Sequence, residues 1–406
     1  MIVGSTTILV LLTSLFELSV NAASVLHQHQ KRAQCAATLT VAEVSVASTL
    51  QAHYYNTGTG MYNGGSLWTD ANALEDLHNL MLGADVDTWS TVADGSYIGQ
   101  AALSSSTDWA SLLGGANDDA GWVLMALWKI ADYKGARGLS NAAYLNAAAT
   151  IYNLIAGQWD DTCGGGVWWS TAHTYKNAIT NQLFLYVSAD GYLRGGGQTY
   201  LDNANKVRES LFSEHIDVHC LNYLYCEVWN WLSASGMRNS QGLWNDGLTD
   251  TCVNNGQTTW TYNQGVIASG LAALYSATKN TTLLDQAEIT LDATISLLTD
   301  DDILKESCDD ALSGGSVCDA DQQLFKGLWT KHVQYYLDMA NDSTRTAKYS
   351  PFLGSQTSAV FHYGTDSSND VGSVWYAPNQ GGSIFTPKTS TSGLEAHVAA
   401  AKYGPC

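Results

Sequence analysis

The segment that decides the fold is residues 119–133, DAGWVLMALWKIADY. Beyond its first residue it carries only two charged side chains, Lys129 and Asp132, so a helix formed here is apolar almost all round. Residues 176–187 and 262–277 are similarly apolar. A helix that is apolar on every face must be buried on every face. These segments therefore predict helices that lie inside the protein, each surrounded by other elements.

A second set of segments predicts helices that are apolar on one face only. These are residues 141–156, 200–215 and 282–298, and they alternate along the chain with the apolar segments. Such alternation predicts two concentric layers, an inner ring of helices inside an outer ring. The expected fold is an all-α toroid, with an irregular helical bundle as the alternative. Because no Pro-, Ser- or Gly-rich linker divides the chain, we expect residues 35–406 to form a single domain.

The N-terminal region predicts export from the cell. Residues 1–23 combine an apolar run with small residues around Ala22, as a signal peptide does. Lys31 and Arg32 then offer a dibasic processing site, so residues 24–34 are interpreted as a short propeptide, unless the two basic residues occur there by chance. We expect a secreted protein that is extracellular or located in a cell wall.

The cysteines agree with secretion. The chain has eight, an even number that indicates disulfide bonds in an exported protein. Proximity in sequence predicts the pairs Cys220–Cys226 and Cys308–Cys318. Acceptor sequences for N-glycosylation begin at Asn280 and Asn341. The C-terminal segment has no hydrophobic tail, so we expect no GPI anchor.

Charge and motifs argue against several classes of function. The formal net charge of −20 would repel a phosphate backbone, so we expect no nucleic-acid partner. The apolar run near the N-terminus is too short for stable membrane insertion. The sequence lacks phosphate-binding, dinucleotide-binding and zinc-protease motifs, so we expect no cofactor and no metal site, although its acidic loops leave Ca²⁺ binding open. We expect a monomer that acts on a neutral polymer.

Aromatic residues are concentrated in the loops that lead into the apolar helices. In a toroid these loops gather at one end of the ring, where aromatic rings suit a carbohydrate cleft because they stack on the apolar faces of sugars. The alternative is that each tryptophan belongs to the core. The loop residues concerned are Tyr54, Tyr55, Trp68, Trp168, Trp169, Trp244 and Trp260.

Two adjacent carboxylates, Asp118 and Asp119, are the candidate catalytic pair. They follow Asn117 and open the apolar helix that also carries Trp122. Glycoside hydrolysis commonly uses two carboxyl groups, one as an acid and one as a base or nucleophile. Partial burial can raise the pKa of one carboxyl, while the helix N-terminus keeps the other ionised. The alternative is structural: Asn117 caps the helix and the two aspartates complement its dipole.

Other acidic runs are weaker candidates for the catalytic pair. Asp160-Asp161 follows an amphipathic helix and is expected on an outer connection. The runs at 300–302 and 309–310 lie in polar surroundings and are expected to be solvated loops. Only Asp118-Asp119 opens onto an inner helix.

Four segments of the chain resemble glycoside hydrolase family 76, the endo-α-1,6-mannanases. They occur in the family's order over about residues 36–340, and together they are more specific than any one alone. The region after about residue 345 matches nothing that we can place. The segments are NDDAGW at 117–122, GGGVWW at 164–169 with YKNAITN at 175–181, TYNQG at 261–265 and FKGLWTKH at 325–332.

The resemblance implies an (α/α)6 barrel and a secreted, retaining endo-acting enzyme that cleaves α-1,6-mannan. It implies Asp118 as nucleophile and Asp119 as acid/base. Polar and aromatic residues near the starts of inner helices are candidates for binding the sugar, with helix capping and loop support as the alternative. The candidate substrate-binding residues are Trp122, Asn181, Asp246, Tyr262, Asn263 and Gln264, of which Asp246 is otherwise part of an ordinary Asp-Gly turn.

Two other functions remain open on the same scaffold. Fungal relatives of the family attach GPI-linked glycoproteins to cell-wall glucan, so a transglycosidase that acts on mannan-containing GPI glycans is one alternative. A non-catalytic mannan-binding protein is the other, although a pure binder does not need both Asp118 and Asp119.

Overall fold

The structure is a computed structural model that describes residues 35–204, 228–310, 314, 317–378 and 382–406. The expected signal peptide, propeptide, dibasic site and Cys220–Cys226 pair lie outside these residues, as does the second part of the amphipathic segment 200–215. The first helix, α1, covers residues 36–54 and contains a π-helical stretch, Val41–Ala47. The other described helices are α2 Leu67–Ala84, α3 Ser90–Gly95, α4 Tyr97–Leu103, α5 Trp109–Leu112, α6 Asn117–Ala136, α7 Ala142–Ala156, α8 Ala178–Leu193, α9 Gln198–Ala204, α10 Val228–Ala234, α11 Thr261–Thr278, α12 Thr282–Leu297, α13 Phe325–Ala340, α14 Ser343–Ala359 and α15 Pro387–Tyr403.

Six of these helices form a closed inner ring. In chain order they are α2, α6, α8, α11, α13 and α15; each packs against the next, and α15 packs back against α2. The outer layer includes α7 on α6, α12 on α11, and α1 and α14 on α15. The predicted all-α toroid with an inner and an outer layer is therefore confirmed. The strands in the described residues form two short antiparallel hairpins, β1 Tyr55–Asn56 with β2 Met61–Tyr62 and β3 Thr299–Asp300 with β4 Ile303–Leu304.

The apolar pattern located three of the six inner helices. The segments 119–133, 176–187 and 262–277 fall within or overlap α6, α8 and α11. The other three inner helices, α2, α13 and α15, are buried but carry many polar side chains, so a search for apolar segments misses them. Helix α15 closes the ring and lies in the region after residue 345 that the sequence left unassigned.

Polar groups inside the ring pair with one another. The Lys331 ammonium lies 2.9 Å from Glu75 Oε2, 3.0 Å from Glu395 Oε1 and 2.5 Å from Asn72 Oδ1. Asp76 is 4.0 Å from the same ammonium, and all of these side chains are buried. Lys331 belongs to α13, the two glutamates to α15 and α2, so the network ties three inner helices together. Burial without such partners would be strongly unfavourable for each charge.

Two glycines, one in the segment TYNQG at 261–265 and one in FKGLWTKH at 325–332, lie where neighbouring inner helices are in contact. A Cβ on Gly265 of α11 would lie 2.7 Å from the Trp329 Cα of α13. A Cβ on Gly327 of α13 would lie 2.4 Å from the Ser392 Cα of α15. Both contacts are with backbone, which cannot rotate away as a side chain can. The Tyr-Asn-Gln-Gly and Phe-Lys-Gly segments therefore each contain a residue required for close helix packing.

Three disulfide bonds are present in the described residues. Cys308–Cys318 confirms the prediction from proximity. Cys35–Cys406 and Cys163–Cys252 join residues that are 371 and 89 positions apart, which proximity in sequence cannot reveal. Among the described helices, none is both long and apolar enough to cross a bilayer.

Candidate active site

A cleft of about 510 Å³ opens at the end of the ring where the inner helices begin. Its walls come from the N-terminal ends of α2, α6, α8, α11 and α13 and from the loops before them. Helix N-termini present unpaired backbone N–H groups and the positive end of the helix dipole, so this end of the ring favours negative charge. The lining residues are Ser66, Trp68, Ala116, Asp118, Asp119, Trp122, Trp169, Tyr175, Asn177, Asp246, Tyr262, Asp321 and Phe325.

The aspartate pair occupies the first turn of α6. The helix begins at Asn117, so Asp118 and Asp119 are its second and third residues. Ala116, the residue before the helix, provides no side-chain cap. Asn117 does not cap the helix, contrary to the structural alternative. Its side-chain amide instead donates to the Trp168 carbonyl oxygen at 2.8 Å. The first turn of α6 is thereby attached to the neighbouring loop, and both carboxyls line the cleft.

Asp118 is held in place by two hydrogen bonds. The indole N–H of Trp169 donates to Oδ2 at 3.0 Å, and the backbone N–H of Asp119 donates to Oδ1 at 3.0 Å. Burial raises the pKa of Asp118 to about 6, although both hydrogen bonds favour the ionised form and oppose this rise. A carboxylate with both oxygens occupied in this way has a fixed orientation.

Asp119 has a different environment from its neighbour. Burial, together with the negative charges of Asp118 and Asp321, raises its pKa to about 8. Asp119 therefore keeps its proton at a pH where Asp118 has lost its own. Two adjacent carboxyls in one cleft thus differ in protonation state, which is the requirement for one acid and one nucleophile.

The competing acidic runs have structural roles. Asp160 pairs with Lys176 at 2.7 Å, and its pKa is lowered to about 2 by hydrogen bonds that outweigh its partial burial. Asp300 lies in the β3–β4 hairpin and is exposed. The expectation of a solvated loop at 309–310 is wrong for Asp309, which is buried and forms an ion pair with the ammonium of Lys326.

Three of the six candidate substrate-binding residues line the cleft. Trp122 lies 6.1 Å from the ring of Trp68, centroid to centroid. Tyr262 stacks on Phe325 at 3.9 Å with an interplanar angle of 8°. Asp246 accepts a 2.5 Å hydrogen bond from the hydroxyl of Tyr175. These residues place an aromatic surface and a further carboxyl around the aspartate pair.

The other three candidates do not reach the cleft. Asn181, Asn263 and Gln264 are all fully buried. The side-chain amide of Asn181 bonds both backbone groups of Val167, at 2.7 and 3.0 Å, so it supports the loop before α8. Gln264 does the same for Trp244, at 2.8 and 3.0 Å. Asn181 and Gln264 therefore make the contacts that the loop-support alternative describes, and Asn263 lies in the interior.

Sequence reasoning missed Asp321. This third cleft carboxylate accepts a 3.1 Å hydrogen bond from the indole N–H of Trp68, and its charge acts on both Asp118 and Asp119. It precedes the Phe-Lys-Gly segment by only a few residues, and that position was the available signal. Trp169 was named only among the aromatic loop residues, and Tyr175 and Asn177 lie within quoted segments but were not singled out as site residues.

No group of three or more His, Cys, Asp or Glu side chains within the described ranges is arranged to hold a metal ion.

The chain belongs to glycosyl hydrolase family 76, whose profile matches residues 36–217 and 226–403. It is 28% identical over 229 residues to the mannan endo-1,6-alpha-mannosidase DCW1 of Saccharomyces cerevisiae, an alignment that covers 53% of this chain and 45% of that protein. It is 25% identical over 313 residues to DCW1 of Eremothecium gossypii, covering 72% of this chain and 63% of that protein. The chain thus spans about half the length of these relatives.

Solved structures share the fold. The GH76A alpha-1,6-mannanase of Salegentibacter sp. HEL1_6 superposes with a TM-score of 0.71 at 19% identity, covering 90% of this chain and 99% of that one. Dfg5 from Chaetomium thermophilum, in complex with glucosamine, superposes with a TM-score of 0.66 at 17% identity, covering 92% of each chain.

Proposed function

We propose that this chain is a secreted, retaining endo-acting enzyme that cleaves α-1,6-mannosidic bonds, with Asp118 as nucleophile and Asp119 as acid/base. The observation that carries the proposal is the pair itself: two adjacent carboxyls in one cleft, one pinned by two donors and the other kept protonated by its surroundings. Trp122, Asp246 and Tyr262 are proposed to contact the sugar, because they line the same cleft.

In the first step the Asp118 carboxylate attacks the anomeric carbon of the mannose on the non-reducing side of the bond. The Asp119 carboxyl donates its proton to the glycosidic oxygen, which leaves as the 6-hydroxyl of the next mannose. The product of this step is an ester between the Asp118 side chain and the sugar.

In the second step Asp119, now ionised, takes a proton from a water molecule. The resulting hydroxide attacks the same anomeric carbon and releases Asp118 as a carboxylate. Because the anomeric carbon is displaced twice, the product keeps the α configuration. The aspartate pair then has the same protonation states as before the reaction.

The names of related proteins support the choice of substrate. The curated relatives from Saccharomyces cerevisiae and Eremothecium gossypii are named mannan endo-1,6-alpha-mannosidases. An inactive Salegentibacter enzyme in which two consecutive aspartates are replaced by asparagine was solved with alpha-1,6-mannotriose. The paired aspartates of this chain are proposed to correspond in role.

The proposal includes the maturation of the chain. We take residues 1–23 as a signal peptide, 24–34 as a short propeptide and 35–406 as one catalytic domain. The Cys35–Cys406 disulfide supports both an oxidising compartment and a domain that begins near residue 35. The mature protein is proposed to act as a monomer outside the cell or in a cell wall.

The test is digestion of a linear α-1,6-mannan, with product size followed by chromatography and anomeric configuration by proton NMR at early times. We expect short oligosaccharides in which the α-anomer appears first. Asp118→Asn should abolish turnover, and Asp119→Asn should lower kcat by about 10²- to 10⁴-fold. Asp300→Asn, the same chemical change at an exposed site outside the cleft, is the control and should retain full activity.

Other outcomes would replace the proposal. A β-anomer at early times would contradict double displacement. Products that form only when sugar acceptors are added would indicate the transglycosidase, and binding of mannan without turnover in the unaltered protein would indicate the binding protein.

A further inference from the structure

Lys176 is a buried cation directly before α8, and it does not line the cleft. Its ammonium donates at 2.7 Å each to Asp160 Oδ1 and to the carbonyl oxygens of Thr162 and Gly165, and it lies 3.2 Å from the Asp160 carbonyl. One side chain thus binds the backbone of the loop 160–166 at three residues. We call residues 160–169 the clamp loop.

The same cation also fixes the end of the clamp loop. It lies 4.7 Å from the ring centroid of Trp168, and the indole N–H of Trp168 donates to Asp160 Oδ2 at 2.8 Å. Asp160 is therefore shared between Lys176 and Trp168. A cation over an aromatic face and a carboxylate that bridges the two groups leave Trp168 with a single orientation.

The orientation of Trp168 is transmitted to the catalytic pair through its neighbour. The Asn117 amide donates to the Trp168 carbonyl, and the Asn117 backbone N–H donates to the Trp169 carbonyl, both at 2.8 Å. Trp169 in turn donates its indole N–H to Asp118 Oδ2 at 3.0 Å. The Trp169 side chain is 43% exposed, so packing alone does not fix its ring.

We propose that Lys176 is a positioning residue for the nucleophile: it holds the clamp loop so that the Trp169 indole meets Asp118 Oδ2. The inference rests on the proposed function of Asp118 and extends it to a residue outside the cleft. Tyr175 acts beside it, because its backbone carbonyl accepts from the Trp169 N–H at 2.8 Å while its hydroxyl binds Asp246. Tyr175 and Lys176 thus connect the clamp loop with the cleft wall that carries Asp246.

The chain supplies a matched control. Lys134, also buried, pairs with Asp94 at 2.8 Å and lies 5.4 Å from the ring of Tyr144, whose hydroxyl donates to the same aspartate. This arrangement repeats that of Lys176, Asp160 and Trp168, but at the opposite end of α6 from the aspartate pair. Substitution of either lysine by methionine removes an ion pair between a buried lysine and a partly exposed aspartate, and only one of the two substitutions affects the clamp loop.

The first measurement needs no substrate. The indole N–H resonance of Trp169 is followed by ¹⁵N NMR across a pH titration in the full-length mature protein and assigned by its absence in Trp169→Phe. In the unaltered protein we expect the resonance to move as Asp118 titrates. Lys176→Met should remove or weaken that movement, whereas Lys134→Met should leave it unchanged. Equal behaviour of the two lysine variants would overturn the proposal.

The second measurement is the pH dependence of kcat/KM on α-1,6-mannan. Loss of the Trp169 hydrogen bond removes an interaction that lowers the pKa of Asp118. In Lys176→Met, the fall of kcat/KM on the acidic side of the pH profile should therefore begin at a higher pH. We expect kcat to fall by about ten- to a hundredfold, as for loss of one hydrogen bond to a charged group. In the double variant Lys176→Met/Trp169→Phe, kcat should be close to that of Lys176→Met alone, because the Trp169 hydrogen bond is already lost.

Asp160→Asn is the second variant, in case Lys176→Met does not fold. This substitution removes the negative charge that faces Lys176 but leaves the three carbonyl oxygens that bind its ammonium. The effects on the Trp169 resonance, the pH profile and kcat should therefore be in the same direction but smaller. Asp94→Asn is its control. An unaltered acidic limb in every folded clamp variant would show that Lys176 is only structural. If the unaltered protein does not cleave mannan, the proposed function fails, but the NMR titration still decides the role of Lys176.

Discussion

Asp118 and Asp119 are chemically identical neighbours that differ in environment. Trp169 and a backbone N–H hold Asp118 in its ionised form, whereas nearby negative charge and burial keep the proton on Asp119. The local fold creates this difference, because the extended residue Ala116 places both side chains on the first turn of α6 without using either as a cap. Role assignment therefore follows from environment.

The first prediction is a bell-shaped pH profile. Asp118 must be ionised, so activity should be lost as the pH falls below its pKa of about 6. Asp119 must be protonated, so activity should also be lost as the pH rises above its pKa of about 8. Initial rates of mannan cleavage from pH 4 to 10 measure both limbs, which belong to the coupled pair. A profile that still rises beyond pH 9 would contradict the assignment of Asp119.

The second prediction concerns Asp321. Its negative charge raises the pKa of Asp119, so Asp321→Asn should move the basic limb of kcat/KM to lower pH. Asp300→Asn removes the same charge from the exposed β3–β4 hairpin and should leave the profile unchanged. A basic limb that stays in place in both variants would mean that Asp321 does not influence the acid.

At the residue level, sequence reasoning predicted part of the site. The aspartate pair, Trp122 and Tyr262 are in the cleft because they lie in the first two turns of inner helices, which the apolar pattern located. Asp246 reaches the cleft from a loop, whose backbone accepts a hydrogen bond from Ala178 at the start of α8. Asn181 and Gln264 lie only a few residues further along their helices and point into loop backbone instead. Sequence position gives the depth along a helix, but not whether a polar group at that depth meets the cleft or a loop.

At the scale of elements, two pairs of neighbouring inner helices are in backbone contact at a glycine, Gly265 between α11 and α13 and Gly327 between α13 and α15. Gly327→Ala would place a methyl group against the backbone of α15, so we expect the free energy of unfolding to fall by about 1–3 kcal/mol, as for other overpacked sites. Gly135→Ala is the control, since its Cβ would meet only the end of the Asn141 side chain, at 3.2 Å. That variant should be neutral or gain up to about 1 kcal/mol from helix propensity.

Chemical denaturation by urea, followed by circular dichroism, measures both changes. Equal stability of Gly327→Ala and Gly135→Ala would contradict the proposed backbone contact between α13 and α15.

The elements that the sequence did not reveal share one property. Helices α2, α13 and α15 bury charged and polar groups such as Glu75, Lys331 and Glu395, which pair inside the ring. A helix of this kind has the composition of a surface helix, because the partner that neutralises each charge lies on another helix. Hydropathy along one segment carries no information about that partner.

At the scale of the molecule, many acids are buried with raised pKa values. Asp70, Glu306 and Glu395 have their pKa raised by burial to about 7, and the pKa of Asp76 is raised well above its usual value. With Asp118 and Asp119, these are six carboxyls that hold protons more tightly in the folded chain than in the unfolded one. Three buried histidines act in the opposite direction because their pKa values are lowered, namely His78, His332 and His397.

The fourth prediction is that stability falls as the pH rises. A carboxyl with a raised pKa contributes stability that is complete below its unfolded pKa, about 4, and is lost as the pH rises through its folded pKa. The histidines offset this only below about pH 6.5, where the unfolded chain protonates them. The net loss should therefore extend over about pH 5 to 7 and level off above pH 7, where three of these carboxyls have lost their protons, and it is measured as a falling Tm by calorimetry.

Asp70→Asn provides the matched test of this linkage. It removes one raised carboxyl and should flatten the fall in unfolding free energy by about 1.4 kcal/mol per pH unit between pH 5 and 7. A Tm that rises steadily from pH 5 to 8 in the unaltered protein would contradict the linkage argument.

The disulfide between Cys35 and Cys406 connects the residue before α1 with the segment after α15, across the seam where the inner ring closes on itself. Between these two residues the polypeptide is a covalent circle. A protease that cuts one peptide bond in that circle opens it but releases no fragment, and every inner helix stays joined to its neighbours. The polypeptide therefore has to be cut at least twice within this circle before the circle loses a piece.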